Sequence, residues 1–236
     1  MTAVKVIRFL AGEPSLGREL TSCWAGVLGD SGPTGSRASG RPFRVAVMTP
    51  LDLPDLPAPR FAAIDMQWFT DAGAALANAA WLEAAAPDLC LGSRALGEGS
   101  CHVVAEEVVL RGRDHLGARW DAGGERFKMM SFGRRNPRLT LEEFLARWRS
   151  QAGRLGDESI PDVVRGLAYV QNHPLALAGH EWPLDAVNEV YFERVDDLRR
   201  RAEWFAERQQ AALRTDAESF MSPTDTWSMF VRESPV

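Results

Sequence analysis

The chain has 236 residues, 45% of them hydrophobic and 25% charged, and a formal net charge of −5. This composition is typical of a globular protein, and no apolar run approaches the roughly 20 residues that a membrane helix needs. Proteins that bind nucleic acid normally present a basic face to the phosphates, so the acidic balance disfavours that partner.

The first half of the chain predicts the element order β-α-β-β-α-β. Short apolar runs bounded by Gly, Pro or polar residues predict strands over 4–10, 43–49, 61–69 and 102–110, with helices over 16–28 and 71–86. Residues 29–40, rich in Gly and Ser, predict a flexible loop. A Pro-rich connection runs from 50 to 59, and residues 112–125 link the first half to the second.

The second half predicts the same order, which is the ferredoxin-like motif. Strands are predicted over 127–134, 163–173, 186–192 and 227–233, with a second helix over 195–212. The first helix is predicted to begin after Thr140, whose spacing to Glu143 is a capping box. Phe144 and Trp148 then recur at helical spacing.

The two halves match one another at a nearly constant offset. The segment beginning at Lys5 matches the segment beginning at Lys128, Phe69 matches Phe192, and Pro50 matches Pro174 within one residue of the same offset. A long period kept across three segments predicts an internal duplication. We therefore expect a degenerate N-terminal ferredoxin-like repeat over 1–111, a linker over 112–125 and a C-terminal repeat over 126–236.

A four-stranded sheet with both helices on one face leaves its other face uncovered. We expect the two sheets to cover each other, giving an α+β protein: an intrachain dimeric α/β barrel with a cavity between the sheets. The alternative is a pair of independent domains on a linker.

The second half resembles the EthD family of the dimeric α/β-barrel superfamily. The matching residues are Phe144 and Trp148, the segments 165–173 and 184–192, and Asp216 with Phe220. The first half matches through its similarity to the second. The resemblance implies a cavity that binds small organic molecules, as in isomerases, cyclases, cofactor-independent monooxygenases and accessory proteins of degradation pathways. The family often has a histidine four residues after the helical Trp or Tyr, and here that position is Ala152.

Strand alternation divides the candidate site residues between the two faces of each sheet. Ala168 and Val170 suit a helix-covered face, which predicts that their neighbours lie on the open face. The open-face residues expected in the second half are Tyr169, Gln171, His173, Val187, Glu189 and Tyr191, and those in the first half are Val45, Val47, Thr49, Ile64, Met66 and Trp68. One wall of the cavity is thus expected to be polar and the other mainly apolar.

His173 and Glu189 are the candidate catalytic pair. An imidazole titrates near neutral pH and can act as acid or base, while a nearby carboxylate can orient it. The residues expected to contact substrate are Tyr169, Gln171, Tyr191, Met66, Trp68 and Thr49. The alternative is that His173 ends a strand beside Pro174 and that Glu189 faces solvent.

The remaining titratable residues predict no metal site. Three cysteines without CxxC spacing argue against a disulfide framework and a thiolate site, and no HxH or HxxxH pair is present. His102 and His115 are expected to be solvated, and His180 is a candidate to cover the pocket. Lys5 and Lys128 are expected to be edge lysines with solvated amines rather than Schiff-base lysines.

The leading prediction is a cofactor-independent enzyme, an isomerase or lyase, that transfers protons on a hydrophobic aromatic, polyketide or lactone-like compound. The alternative is a non-catalytic carrier or accessory protein, and a third possibility is haem binding, as in other tandem barrels of the superfamily. No cofactor, nucleic acid or membrane is expected. The residues up to Gly12 carry no signal-peptide cleavage pattern, so a cytoplasmic location is expected. The expected oligomeric state is a monomer that forms an internal pseudo-dimer, or a homodimer.

Overall fold

A computed structural model describes residues 2–29, 40–53, 58–85, 98–122, 126–157, 160–208 and 217–236, without the side chains of 29, 85, 151–157 and 205–208. The strands are β1 (Val4–Leu10), β2 (Arg44–Pro50), β3 (Ala63–Phe69), β4 (Cys101–Arg111), β5 (Arg126–Arg135), β6 (Ala168–Pro174), β7 (Ala186–Phe192) and β8 (Met221–Pro235). The helices are α1 (Leu16–Gly29), α2 (Ala72–Ala85), α3 (Arg113–Ala122), α4 (Leu141–Asp157), α5 (Asp162–Arg165) and α6 (Val195–Arg208).

The chain is an α+β protein whose strands form an eight-stranded antiparallel barrel in the hydrogen-bonded order β1-β3-β2-β8-β5-β7-β6-β4. Element order in the sequence is β-α-β-β-α-β twice, with α3 between the two runs and α5 added before β6. Most of the predicted loop over 29–40 lies outside the described residues, as do Asp216 and parts of 50–59 and 195–212.

Two local predictions are wrong. The predicted strand over 163–173 begins instead with α5, and Gly166 ends that helix at a φ of 75°, so the strand starts only at Ala168. The last strand begins at Met221, six residues before the predicted start at Trp227. The predicted capping box is confirmed, because the Thr140 hydroxyl accepts from the Glu143 amide and the Glu143 carboxylate accepts from the Thr140 amide.

Contacts divide the chain into two compact units. Unit 1 comprises Met1–Asp52, Ala58–Glu107 and Val231–Val236, and unit 2 comprises Leu53–Pro57 and Val108–Phe230. This division follows packing rather than sequence order, since the last residues of β8 pair with β2 in unit 1. The predicted boundaries at 111 and 126 stay a prediction.

In unit 1 the sheet order is β4-β1-β3-β2, and α1 and α2 cover one face. We call this the helix face. Trp24 of α1 donates to Asp65, and Asn78 of α2 donates to Gln67. Asp65 also accepts two bonds from Arg8, so the buried carboxylate is paired as well as hydrogen-bonded.

In unit 2 the sheet order is β8-β5-β7-β6, and α4 and α6 cover the helix face. A hydrophobic cluster on this face joins Phe144 and Trp148 of α4 to Ala186 and Phe220. Their spacing in α4 is the helical periodicity that the sequence displayed, because residues four apart share one side of a helix.

The predicted linker over 112–125 contains a third helix of unit 2. Leu116 of α3 packs against Ala168, Val170 and Tyr191 on the sheet face opposite to α4 and α6. Gly112 makes this approach possible: its φ is +77°, and an added Cβ would lie 2.3 Å from the Leu167 carbonyl oxygen. In unit 2, therefore, α3 covers part of the face that the sequence predicted to be open.

Among the described residues, none of the helices combines the length and the apolar character required to cross a membrane. Cys101 is a free thiol whose pKa burial raises to about 11, which leaves it unreactive at neutral pH. Cys23 is disulfide-bonded. The sequence argument against a disulfide framework did not anticipate this bond.

Candidate functional site

The opposite face of each sheet, meaning the face away from its two long helices, carries a buried lysine. In unit 2 the register places Lys128 beside Tyr191 and Met130 beside Glu189 across β5 and β7. Across β6 and β7 it places Ala168 beside Tyr191 and Val170 beside Glu189. Residues directly opposite in neighbouring strands share a face, so these side chains form one surface.

Glu189 is the centre of a polar cluster on this surface. Its Oε2 accepts from the Lys128 ammonium at 2.6 Å and from the Tyr191 hydroxyl at 2.6 Å. Its Oε1 accepts from the Asn172 amide at 2.9 Å. Three strands thus supply the donors, and the side chains of Glu189 and Lys128 are both fully buried. We call Lys128, Asn172, Glu189 and Tyr191 the Glu189 cluster.

Two cations lie close to the aromatic ring of Tyr191. The Arg119 guanidinium of α3 stands 4.4 Å from the ring centroid, and the Lys128 amine stands 4.9 Å from it. Arg119 is held in turn, because Arg126 donates to its backbone carbonyl. Positive charge over an aromatic face is attracted by the ring quadrupole, most strongly where water is absent.

Unit 1 has a related arrangement on its own opposite face. Lys5 lies beside Trp68 across β1 and β3, and its amine is 2.6 Å from the Glu107 carboxylate and 5.0 Å from the indole centroid. The Trp68 indole N–H donates to the same Glu107 oxygen at 3.2 Å. The carboxylate comes from β4 rather than β3, because Met66 occupies the β3 position that matches Glu189.

His173 lies on the helix face of unit 2, so the prediction that it shares the open face with Glu189 is wrong. Its ring stacks on Trp148 of α4 at 5.1 Å between centroids. Its Nδ1 is 3.0 Å from the Arg149 guanidinium and its Nε2 is 2.9 Å from Gln171 Oε1. Since the guanidinium can only donate, Nδ1 accepts and Nε2 carries the proton.

Burial and the Arg149 charge together lower the pKa of His173 to about 4. The ring is therefore neutral near pH 7, and both of its nitrogens already have partners. It forms a chain with Gln171, whose amide donates to the Trp148 carbonyl and to the Tyr169 hydroxyl, each at 3.3 Å. Burial also raises the pKa of the Tyr169 phenol. This chain attaches β6 to α4.

In unit 1 the candidate residues of β2 were also assigned to the wrong face of the sheet. Val45 and Val47 lie opposite Gln67 and Asp65, the residues that α2 and α1 contact. Thr49 packs against α1, since a Cβ on Gly17 would come within 2.2 Å of its methyl group. All three therefore lie on the helix face. The alternation misled here because both faces of β2 and β6 are buried, so apolar residues occur on either side.

Four predicted site residues lie on the faces expected for them: Met66 and Trp68 in unit 1, and Glu189 and Tyr191 in unit 2. The sequence analysis did not assign Lys128, Asn172 or Arg119 to the site, and it set Lys128 aside as an edge lysine. Lys128 could have been found, because it and Lys5 are the chain's two lysines and occupy matching positions of the repeat. The expectation of solvated edge lysines is wrong, since both side chains are fully buried.

The remaining expectations for the site concern cavities, metal ligands, His180 and Ala152. Two cavities of unit 1, one lined by Trp24, Asn78 and Trp81 and the other by Arg18, Ser22 and Cys23, contain none of the predicted site residues. Within the described ranges, no three His, Cys, Asp or Glu side chains gather as metal ligands would. His180 is exposed and packs edge-on against Trp182. Ala152 lies in α4, at a position whose side chain is not described.

Comparison with known proteins shows the fold. No family model matches the sequence, and no curated protein does. An anthrone oxidase-like protein matches in structure with a TM-score of 0.57 and 13% identity, over 99% of this chain and 93% of the other. A chlorite dismutase from Candidatus Nitrospira defluvii, in a variant with one arginine replaced by alanine, matches with a TM-score of 0.50 and 12% identity, over 99% of this chain and 91% of the other. Both have the dimeric α/β-barrel fold; at such identity the likeness extends to the fold alone.

Proposed function

We propose that this chain binds a hydrophobic small molecule and catalyses proton transfer on it without a cofactor, with Glu189 as the acid–base group. The observation that carries the proposal is the Glu189 cluster. A carboxylate without solvent exposure receives hydrogen bonds from Lys128, Tyr191 and Asn172, beside the buried apolar side chains of Ala168 and Val170. Buried carboxylates with specific charge and hydrogen-bond partners are frequent at catalytic sites.

The cluster contains the groups that such a reaction requires. Glu189 takes a proton from a carbon next to a carbonyl group and returns it to another atom of the same molecule. The Lys128 ammonium and the Tyr191 hydroxyl are positioned to stabilise the negative charge that develops on the substrate oxygen. The reaction class is therefore isomerisation, cyclisation or elimination.

This proposal transfers the acid–base role from His173 to Glu189. His173 becomes a positioning residue that fixes β6 against α4 through Trp148 and Arg149. Tyr191 remains a substrate-contacting residue, and Met66 and Trp68 remain candidates for an apolar surface in unit 1. Thr49, Tyr169 and Gln171 serve the packing of their own units. Membership of the EthD family, with the two halves as tandem ferredoxin-like repeats, is part of the proposal.

Exchange of substrate protons with solvent tests the proposed chemistry. The purified chain would be incubated in D₂O with aromatic diketones and unsaturated lactones, and deuterium uptake at carbon followed by mass spectrometry. Replacing Glu189 with Gln keeps the shape and removes the base, so the exchange rate should fall by about a hundredfold or more. Glu107→Gln in unit 1 is the matched control and should leave the rate unchanged. Exchange that survives Glu189→Gln refutes the assignment.

A carrier function is the second candidate. Ala152 stands where relatives often have a histidine, and the Glu189 carboxylate already has a donor to each oxygen. A compound that co-purifies and dissociates unchanged, detected by native mass spectrometry, would favour the carrier. In that case no compound should exchange deuterium in a manner that depends on Glu189.

Haem is the third possibility, and the residues do not fit a histidine-ligated haem. All four histidines lie in the described residues, and none extends from the opposite face of a strand. His102 pairs with Arg8 across β1 and β4 and therefore lies on the helix face, as His173 does. His115 belongs to α3 and His180 to the loop before β7.

A further inference from the structure

The chain has two lysines among 27 basic residues, and both are fully buried at matching positions of its two halves. Lysine and arginine are not interchangeable at such places. Arginine stays protonated and is never a nucleophile, whereas a lysine amine is compact and can become neutral in a dry environment. Arginine supplies nearly all the positive charge of this chain. Lysine at these two buried positions therefore indicates a role that needs an amine able to lose its proton.

The surroundings of Lys128 contain the groups that amine chemistry requires. The amine is 2.6 Å from Glu189 Oε2, which is within reach for direct proton transfer. The Tyr191 hydroxyl donates to the same oxygen, so a second proton donor stands beside the first. Ala168 and Val170 form the neighbouring surface of β6, and neither carries a polar side-chain group that would compete for a substrate carbonyl.

We propose that Lys128 is a nucleophile that forms an imine with the carbonyl carbon of a hydrophobic aldehyde or ketone. This inference rests on the proposed function, in that it places the substrate at the Glu189 cluster. It names the substrate class, and it replaces the charge-stabilising role of the Lys128 ammonium with a covalent one. The imine would acidify the adjacent C–H bond, whose proton Glu189 then removes.

The steps balance without an added oxidant or reductant. Glu189 takes one proton from the Lys128 ammonium, and the neutral amine attacks the carbonyl carbon to form a C–N bond. The tetrahedral adduct keeps the oxygen as a hydroxyl group after one N–H proton has moved to it. Glu189 then returns its proton to that hydroxyl, water leaves as the C–O bond breaks, and a protonated imine remains beside the restored carboxylate.

Lys5 provides a control within the same molecule. Its side chain is also fully buried and lies 2.6 Å from a carboxylate. Its carboxylate partner Glu107 is 19% exposed, however, and the second donor to Glu107 is the Trp68 indole, which is a far weaker acid than a phenol. The carboxylate that would return a proton for dehydration is therefore shielded from water and bonded by a phenol at Lys128, whereas at Lys5 it is partly exposed and bonded by an indole.

Reductive trapping tests the proposal on the intact chain. Benzaldehyde and acetophenone would each be added with sodium cyanoborohydride, which reduces a protonated imine to a stable secondary amine. With two lysines in the chain, peptide mapping separates Lys128, Lys5 and the terminal amine without ambiguity. We expect one benzyl or phenylethyl group on Lys128, labelled about tenfold or more faster than Lys5.

The variants separate this inference from the proposed function. Glu189→Gln should slow trapping at Lys128 by about a hundredfold, as expected for loss of a general acid–base group, whereas Glu107→Gln should not change it. Deuterium exchange that depends on Glu189 without any label on Lys128 overturns the imine and leaves the proposed function intact. Label on Lys128 without such exchange supports the imine and refutes proton transfer. Label confined to Lys5 or the terminal amine also overturns the imine.

Discussion

The two buried lysines have nearly the same local geometry and different chemical neighbourhoods. Each amine lies 2.6 Å from a carboxylate and about 5 Å above an aromatic ring. In unit 1 the carboxylate is Glu107, which is partly exposed and is bonded by an indole. In unit 2 it is Glu189, which has no exposure and is bonded by a phenol and an amide.

This difference separates a structural ion pair from a candidate reactive one. Glu107 can exchange its protein partners for water, so little free energy depends on its surroundings. Glu189 has no such alternative, and each of its donors must be supplied by the protein. Glu189, which has more fixed partners, is therefore the carboxylate able to hold and transfer a proton without contact with solvent.

Removing the lysine in each unit is the strongest way to test this contrast. Lys128→Met leaves the Glu189 charge buried and unpaired, which should lower the free energy of unfolding by about 3–5 kcal/mol. Lys5→Met should cost clearly less, because Glu107 can be hydrated. Urea unfolding at neutral pH measures both. Equal losses would mean that the two pairs are energetically the same and that the contrast is wrong.

A second test concerns α3, the helix that covers the opposite face of unit 2. Gly112→Ala places a Cβ 2.3 Å from the Leu167 carbonyl oxygen at a φ of +77°, which should destabilise the protein by about 2 kcal/mol or more. Gly117→Ala lies in the same helix with nothing within 4 Å and should stabilise it by roughly 0.5–1 kcal/mol. Thermal unfolding measures both stability changes, which should have opposite signs. A Gly112→Ala variant as stable as the original chain would contradict the close approach of Gly112 to Leu167.

The smallest effect is expected at His173 and only in acid. Its pKa in the folded chain is about 4, below the value of about 6.5 expected in the unfolded chain. The unfolded state therefore binds more protons between these values, and stability should fall as the pH is lowered from about 6.5 to 4. His173→Gln should flatten this slope, while the exposed His180→Gln should not. A slope unchanged in His173→Gln would place the titration elsewhere.

The candidate site was half predictable from the sequence. β3 and β7 were assigned to the correct faces, because Met66, Trp68, Glu189 and Tyr191 alternate with residues that contact helices. β2 and β6 were assigned to the wrong ones. On β6 the smaller apolar residues Ala168 and Val170 lie away from the long helices, and polar side chains lie beneath α4 with every partner supplied. When both faces of a strand are buried, its sequence alone does not show which face a helix covers.

By itself the sequence determined the element order, the capping of α4 and the match between the two lysines, because periodicity, capping and repetition are local properties of the chain. The tertiary structure alone decided that Lys128 reaches Glu189, that His173 turns towards Trp148, and that residues 113–122 fold over unit 2. Those outcomes depend on the register between strands far apart in the chain. A shift of one residue in that register exchanges the faces of every side chain.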